Sequence, residues 1–194
     1  MIAIVDYKMG NLRSVENALK RLGAEFTVTS DAAVIRSANR VLMPGVGNAA
    51  EAMENLRAAS LVDVIRSLRR PVLGICVGMQ VMCRHSEEGD VDCLNLFDAH
   101  VKRFSSSADL KVPHMGWNTI GNLESKLFKG IDGGEYVYFV HSYYPELCPD
   151  TIATSRHGVM FSAALKYENF YGTQFHPEKS GDVGERIIEN FLRL

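Results

Sequence analysis

Hydrophobic positions along the chain change their period several times. Ile2–Tyr7 begins as an uninterrupted apolar run and reads as a first strand. Leu12, Val15, Leu19 and Leu22 then recur at helical spacing, with Gly23 as a stop. Phe26–Thr29 and Val41–Met43 are short strand candidates, and Ala49–Leu68 reads as mostly helical, in one or two pieces. Pro71–Cys76 reads as a buried strand and Met79–Cys83 as the start of a helix. This alternation predicts an α/β fold with a mostly parallel central sheet flanked by helices. The second half is denser in strands: Ala99–Phe104, Tyr136–Val140, Ala163–Tyr167 and Phe170–Gln174. Val183, Ile187, Ile188 and Phe191 mark a closing amphipathic helix. No linker, repeat or low-complexity stretch divides the chain, so residues 1–194 are expected to form one domain.

Composition narrows the partners. Net charge is −2, from 21 basic and 23 acidic side chains, which argues against nucleic acid. No run reaches the roughly 18 apolar residues of a membrane span, and the opening strand lacks the basic start of a signal peptide. A cytoplasmic location is expected. The four cysteines, Cys76, Cys83, Cys93 and Cys148, are then expected to be free thiols. No CxxC or HExxH occurs, and Cys83-Arg84-His85 is too small a cluster for zinc, so neither metal nor cofactor is expected.

The most informative segment is Val72-Leu73-Gly74-Ile75-Cys76-Val77-Gly78-Met79-Gln80. A strand runs into Cys76, a helix starts after it, and glycines flank it at two residues on either side. That is the spacing of a nucleophile elbow, with sulfur in place of oxygen. Such a turn strains the central residue, glycines let strand and helix approach, and a helix N-terminus favours thiolate. The competing reading of a cysteine in an apolar run is a small buried hydrophobe. That reading suits Cys83, Cys93 and Cys148, which lack flanking glycines.

A thiol nucleophile needs a base, and the base needs a group to hold it. Among six histidines, His176 stands out in Phe175-His176-Pro177-Glu178, just past a predicted strand. His176 can take the Cys76 proton and Glu178 can fix the imidazole tautomer. A plain surface turn is the alternative. The order nucleophile, histidine, acid differs from that of α/β-hydrolases, which disfavours an esterase. Pro44-Gly45-Val46-Gly47 can turn backbone N–H groups toward an oxyanion, with the N–H of Val77 after the nucleophile. The same glycines, with Ala50 and Asp63, give a weak dinucleotide-like match, but not in the first βα turn where that fingerprint belongs.

Together these segments resemble the triad-type (class I) glutamine amidotransferases. Asp6–Val15, Pro113-His114-Met115-Gly116-Trp117-Asn118 and Tyr138–Tyr143 further resemble the glutaminase subunits of imidazole glycerol phosphate synthases, over essentially the whole chain. The resemblance implies a flavodoxin-like fold with extra C-terminal strands. It implies glutamine as substrate, contacted by Gln80, Glu88 and Ser142, and a cyclase partner with a (β/α)8 barrel that receives the ammonia. Asn11, Trp117, Tyr138 and Lys179 are then expected toward that partner. Lys8 departs from the pattern, where glycine is common. Glutaminases of anthranilate, GMP or aminodeoxychorismate synthesis lack the opening motif and the Trp117 segment. A non-catalytic module would not need Cys76, His176 and Glu178 together. A cysteine peptidase would fit Gln80 and Glu88 less well.

Overall fold

The computed structural model describes residues 1–9, 12–106 and 110–194. A seven-stranded sheet forms the centre. Its parallel part contains β1 (Ile2–Val5), β2 (Phe26–Thr29), β3 (Arg40–Gly45), β4 (Val72–Cys76) and β13 (Phe170–Thr173), in the order β13-β4-β3-β1-β2. Two antiparallel strands, β11 (Thr151–His157) and β12 (Val159–Tyr167), extend it beyond β13. The inner strands β1, β3, β4 and β13 are apolar and buried almost throughout, as a parallel sheet covered on both faces requires.

The helices follow the sequence signals with two exceptions. Helix α1 (Leu12–Arg21) buries Val15, Ala18 and Leu19, and Gly23 ends it at φ 65°. The Ala49–Leu68 segment forms two helices, α3 (Ala49–Ala58) and α4 (Val62–Arg66), parted at Ser60 with φ 56°. Helix α2 (Ala32–Ser37) was not anticipated; it is six residues long, buries only Ile35, and depends on Asp31 as its cap. The helix expected from Met79 is a single turn, α5 (Val77–Gln80), beginning directly after Cys76. One turn aligns few peptide dipoles, so the expected helix-dipole help to a Cys76 thiolate is weaker than the sequence suggested. Helix α6 (Gly181–Leu192) closes the fold, burying Ile187, Ile188 and Phe191.

Smaller sheets cover the carboxyl edge. Strands β5 (His85–Ser86), β6 (Val91–Asp92), β7 (His100–Arg103) and β10 (Tyr143–Pro145) form one. Strands β8 (His114–Thr119) and β9 (Tyr136–His141) form an antiparallel pair. The β8–β9 pair is joined to the main body by a ring cluster. His114 stacks on His157 at 4.2 Å and on Phe139 at 4.8 Å, while Phe104 and Phe161 flank His141.

Hydrogen bonds fix the histidine tautomers in this cluster. The Tyr143 carbonyl accepts from His141 Nδ1–H at 2.8 Å, so His141 Nε2 is an acceptor. It accepts from His114 Nδ1–H at 2.9 Å, and His114 Nε2 in turn accepts from the Asn118 amide at 3.2 Å. Each ring must be neutral for this chain to exist. Burial lowers the pKa of His141 to about 3 and that of His114 to about 4, with neighbouring histidine charge adding to the effect.

The central turn is packed just as closely. A Cβ on Gly78 would lie 1.8 Å from the Met43 carbonyl oxygen, and one on Gly74 would lie 2.6 Å from the Gly78 carbonyl oxygen. Gly78→Ala should therefore destabilise the protein by about 3 kcal/mol or more, since backbone must move. Chemical denaturation checks this, and a loss below 1 kcal/mol would contradict it, on the usual scale of core overpacking. The histidines make a second prediction. The unfolded chain gains protons near pH 6.5 and the folded one does not, so stability falls as pH drops from about 6.5 toward 4. His141 contributes at most about 1.4 kcal/mol per pH unit. Melting temperatures that stay flat across that window would show that the cluster does not exclude protons.

Candidate active site

Cys76 ends β4 at φ 54° and ψ −111°, a backbone conformation that costs a non-glycine residue roughly 1–3 kcal/mol. The neighbouring strands place their own ends beside it. Gly45 is its register partner on β3, and Thr173 on β13 pairs with Ile75. The residues just beyond β13, Gln174 to His176, therefore rise alongside the cysteine. This is the carboxyl edge of the parallel sheet, where α/β folds assemble sites.

Cys76 opens into a cavity of about 150 Å³, lined by Val46, Gly47, Val77, Gln80, Glu88 and the segment Val140, His141, Ser142 and Tyr143. That is small even for a ligand pocket and suits one small polar molecule. The candidate base lies behind it. His176 is 1% exposed, and its Nδ1–H donates to Glu178 Oε1 at 2.8 Å. Nδ1 is thus the protonated nitrogen, and Nε2, buried and without a hydrogen-bond partner, is left as the acceptor. Burial works against the imidazolium, but the negative charge of a Cys76 thiolate, then Glu178, outweighs it and raises the His176 pKa to about 10.

Main-chain bonds hold His176 in place. The His176 N–H donates to the Tyr138 carbonyl at 2.9 Å. The Tyr138 N–H donates to Ser180 Oγ at 2.9 Å, and Ser180 Oγ donates to the His176 carbonyl at 2.6 Å. Tyr138 on β9 therefore clamps the segment from both of its peptide groups.

The other candidate residues separate into groups. Gln80 is 2% exposed; its amide nitrogen donates to the Tyr143 carbonyl and to Gln174, leaving only its oxygen for a ligand. Glu88 accepts from Ala49 N–H at 2.9 Å, and burial raises its pKa despite that bond. It therefore helps cap α3 as well as lining the cavity. Ser142 lines the cavity too. Val46, Gly47 (φ 107°) and Val77 face it, whereas Gly45 does not line it. A Cβ on Gly45 would meet the Tyr7 hydroxyl at 2.6 Å, so close packing is what its lack of a side chain serves. Trp117 is 56% exposed and meets Tyr138 edge-to-face at 6.1 Å; Lys179 is exposed. Asn11 lies outside the described residues. Lys8 takes φ 62°, a left-handed conformation that glycine adopts more readily than lysine.

Several residues of the site carried no sequence signal. Gln174, wholly buried, donates to the Cys76 sulfur at 3.6 Å. Among the described residues, the buried side-chain polar atoms without a partner are Tyr7 Oη, Thr173 Oγ1, His176 Nε2 and Glu178 Oε2. All belong to residues on or beside the strand ends around Cys76, where stability has been given up to chemistry. Burial raises the thiol pKa of Cys83 and, to about 12, that of Cys93, as befits inert packing residues. Among the described residues no group of three or more His, Cys, Asp or Glu side chains could hold a metal ion, and no helix is long and apolar enough to cross a membrane.

An imidazole glycerol phosphate synthase subunit HisH of Bacteroides thetaiotaomicron is 57% identical over 194 residues, covering 100% of this chain and 99% of the relative. That of Idiomarina loihiensis is 48% identical, covering 100% and 97%. Among solved structures, a glutamine amidotransferase superposes with a TM-score of 0.75 at 19% identity, covering 99% of this chain and 97% of its own. PurLQS from Thermotoga maritima superposes with a TM-score of 0.71 at 16% identity, with the same coverages. Those two likenesses concern the fold. Residues 3–194 match the family described as glutamine amidotransferase class-I. The chain belongs to the class-I glutamine amidotransferases and, within them, to the HisH subunits of imidazole glycerol phosphate synthase.

Proposed function

We propose that Cys76, His176 and Glu178 hydrolyse glutamine to glutamate and ammonia, and that the ammonia passes to a cyclase subunit with a (β/α)8 barrel. The observation that carries this reading is the arrangement at His176. Glu178 holds Nδ1–H, and Nε2 is left unpartnered beside a strained cysteine. His176 takes the thiol proton as sulfur attacks the amide carbon. The oxyanion would be met by N–H groups of Val77 and of the Val46–Gly47 segment. The imidazolium then protonates the departing ammonia and a thioester remains. Water, deprotonated by His176, attacks the thioester and releases glutamate. Gln80, Glu88 and Ser142 supply polar groups for the amino acid. No cofactor enters these steps. The cytoplasm, where cysteines stay reduced, suits a free thiol.

An exposed apolar stripe supports the partner. Met115, Trp117 and Tyr136 are each more than half exposed on the outer face of the β8–β9 pair. Alternation along β9 puts Tyr136, Tyr138 and Val140 on one face, and Val140 lines the Cys76 cavity. The stripe therefore leads to the cavity, and a partner seated on it, with Lys179 nearby, would seal the exit against water. The relatives are named as subunits of imidazole glycerol phosphate synthase. On that basis the ammonia would serve to make imidazole glycerol phosphate and an aminoimidazole carboxamide ribotide in histidine biosynthesis.

Cys76→Ala should abolish glutamine hydrolysis with little change in melting temperature, while the complex supplied with ammonium salt still makes product. Retention of full glutaminase activity by that variant would sink the assignment. Trp117→Ala should weaken association, by about 2 kcal/mol for an aromatic anchor, or lower the product formed per glutamine consumed. If affinity and one-to-one coupling both survive, the outer stripe is not the junction.

A further inference from the structure

One carbonyl near the cavity decides which way several side chains point. The Tyr143 carbonyl can only accept, and it receives two donors, His141 Nδ1–H at 2.8 Å and Gln80 Nε2 at 3.0 Å. The first fixes the histidine chain already described. The second fixes the Gln80 amide, whose nitrogen must face Tyr143. That same nitrogen donates to Gln174 Oε1 at 2.9 Å, which fixes the Gln174 amide as well. Its nitrogen end is thereby turned to the Cys76 sulfur, at 3.6 Å. Gln174 cannot reverse without facing one amide nitrogen with another, in a site where its own exposure is 0%.

We propose that Gln174 is a positioning residue for the nucleophile, its amide held by Gln80 and the Tyr143 carbonyl so that an N–H always faces the Cys76 sulfur. This rests on the reading of Cys76 as the nucleophile. A fixed N–H toward sulfur does two things. It stabilises the thiolate more than the thiol, because a hydrogen bond to a charged acceptor is about twice as strong. It also opposes the other contact of the thiol, the Val140 carbonyl at 3.9 Å, by favouring the form that has no S–H to donate. Parallel register puts Gln174 at the right height, since Thr173 pairs with Ile75 and the next residue rises beside Cys76. Its backbone N–H is anchored to the Ala163 carbonyl at 2.8 Å, so the side chain starts from a fixed point.

The test is the pH dependence of Cys76 alkylation by iodoacetamide in the full chain, followed by mass spectrometry of the Cys76 peptide. The groups that share the site are His176 with Glu178, Glu88 across the cavity, His141 and Tyr143 in its wall, and Tyr7. The Tyr7 hydroxyl is held neutral because burial, then the Cys76 charge, raises its pKa. Gln174→Met keeps the length and loses the donor. Its alkylation midpoint should move up by about one pH unit, tenfold in the ratio of thiolate to thiol at a given pH. In the complex with its partner, kcat for glutamine should fall by a similar factor with KM nearly unchanged. Gln174→Glu keeps an acceptor for Gln80 but sets a carboxyl against sulfur, so its midpoint should rise further. Gln174→Asn serves if the Met variant does not fold; its shorter amide cannot span Gln80 and Cys76 and should shift the midpoint in the same direction. A folded Met or Asn variant with unchanged midpoint and kcat overturns the proposal. If Cys76→Ala is inactive in the same assays, the glutaminase reading stands and only the role of Gln174 is lost.

Discussion

The close approach of α5 to the centre of the sheet is the constraint on which the site depends. Strand β4 lies between β3 and β13, and the turn after Cys76 has to pass against both. Gly78 lies where any Cβ would strike the Met43 carbonyl on β3, and Gly74 lies where one would strike Gly78. With both glycines in place the chain can reverse within one residue, and Cys76 takes the strained conformation that results. The surrounding sheet is buried and hydrogen-bonded on both sides of β4, so the strain cannot relax by fraying. Everything else in the site is measured from that fixed sulfur: the Val46–Gly47 segment after β3, the Gln174–His176 segment after β13, and the wall of Val140 to Tyr143.

Hydrophobic period reveals the parallel half of the fold because those strands are buried on both faces. The bounds of β2 and the start of α1 match the expectation, and the first strand ends at Val5 instead of Tyr7. Period fails where burial and polarity part company. In β8 the outward residues are Met115 and Trp117, while His114 is the one turned into the core. The alternation is present but inverted, so a search for apolar-in, polar-out passes over it. The sequence pattern gives no sign of β11 and starts β12 at Ala163 instead of Val159, because the turn at Gly158 (φ 71°) sits within an unbroken strand-like pattern. Helix α2 is too short to show a period at all.

Cys76, His176 and Glu178 stand out in the sequence as candidates because each sits in a motif with a local reason. The glycine spacing comes from the turn, and the His-Pro-Glu adjacency comes from the need to hold one ring nitrogen. Gln174 had no local reason. Its contact with Cys76 spans 98 residues and arises from strand register, which no single-segment pattern encodes. The same holds for the Tyr143 carbonyl, a backbone atom that any residue would supply. The exposure of Trp117 follows from the family resemblance and not from the residue pattern. An aromatic residue is core more often than not, yet Trp117 stands 56% exposed, because the inner face of its sheet is already filled by the ring cluster around His114 and Phe139.

The β8–β9 pair is therefore more than a cover for the site, because two rigid connections run from it into the chemistry. One passes through the backbone of Tyr138, whose carbonyl and N–H hold the His176 segment directly and through Ser180. The other passes from Asn118 through His114 and His141 to the Tyr143 carbonyl, and from there through Gln80 and Gln174 to the sulfur. Both consist of hydrogen bonds among buried and half-buried groups, and breaking them has a cost. A partner seated on Trp117 and Tyr138 would act on the same two strands that hold His176 and the cavity wall in place. The outer face and the inner site are in this sense two sides of one thin sheet, and the ring packing that makes the sheet stiff is what makes its position matter.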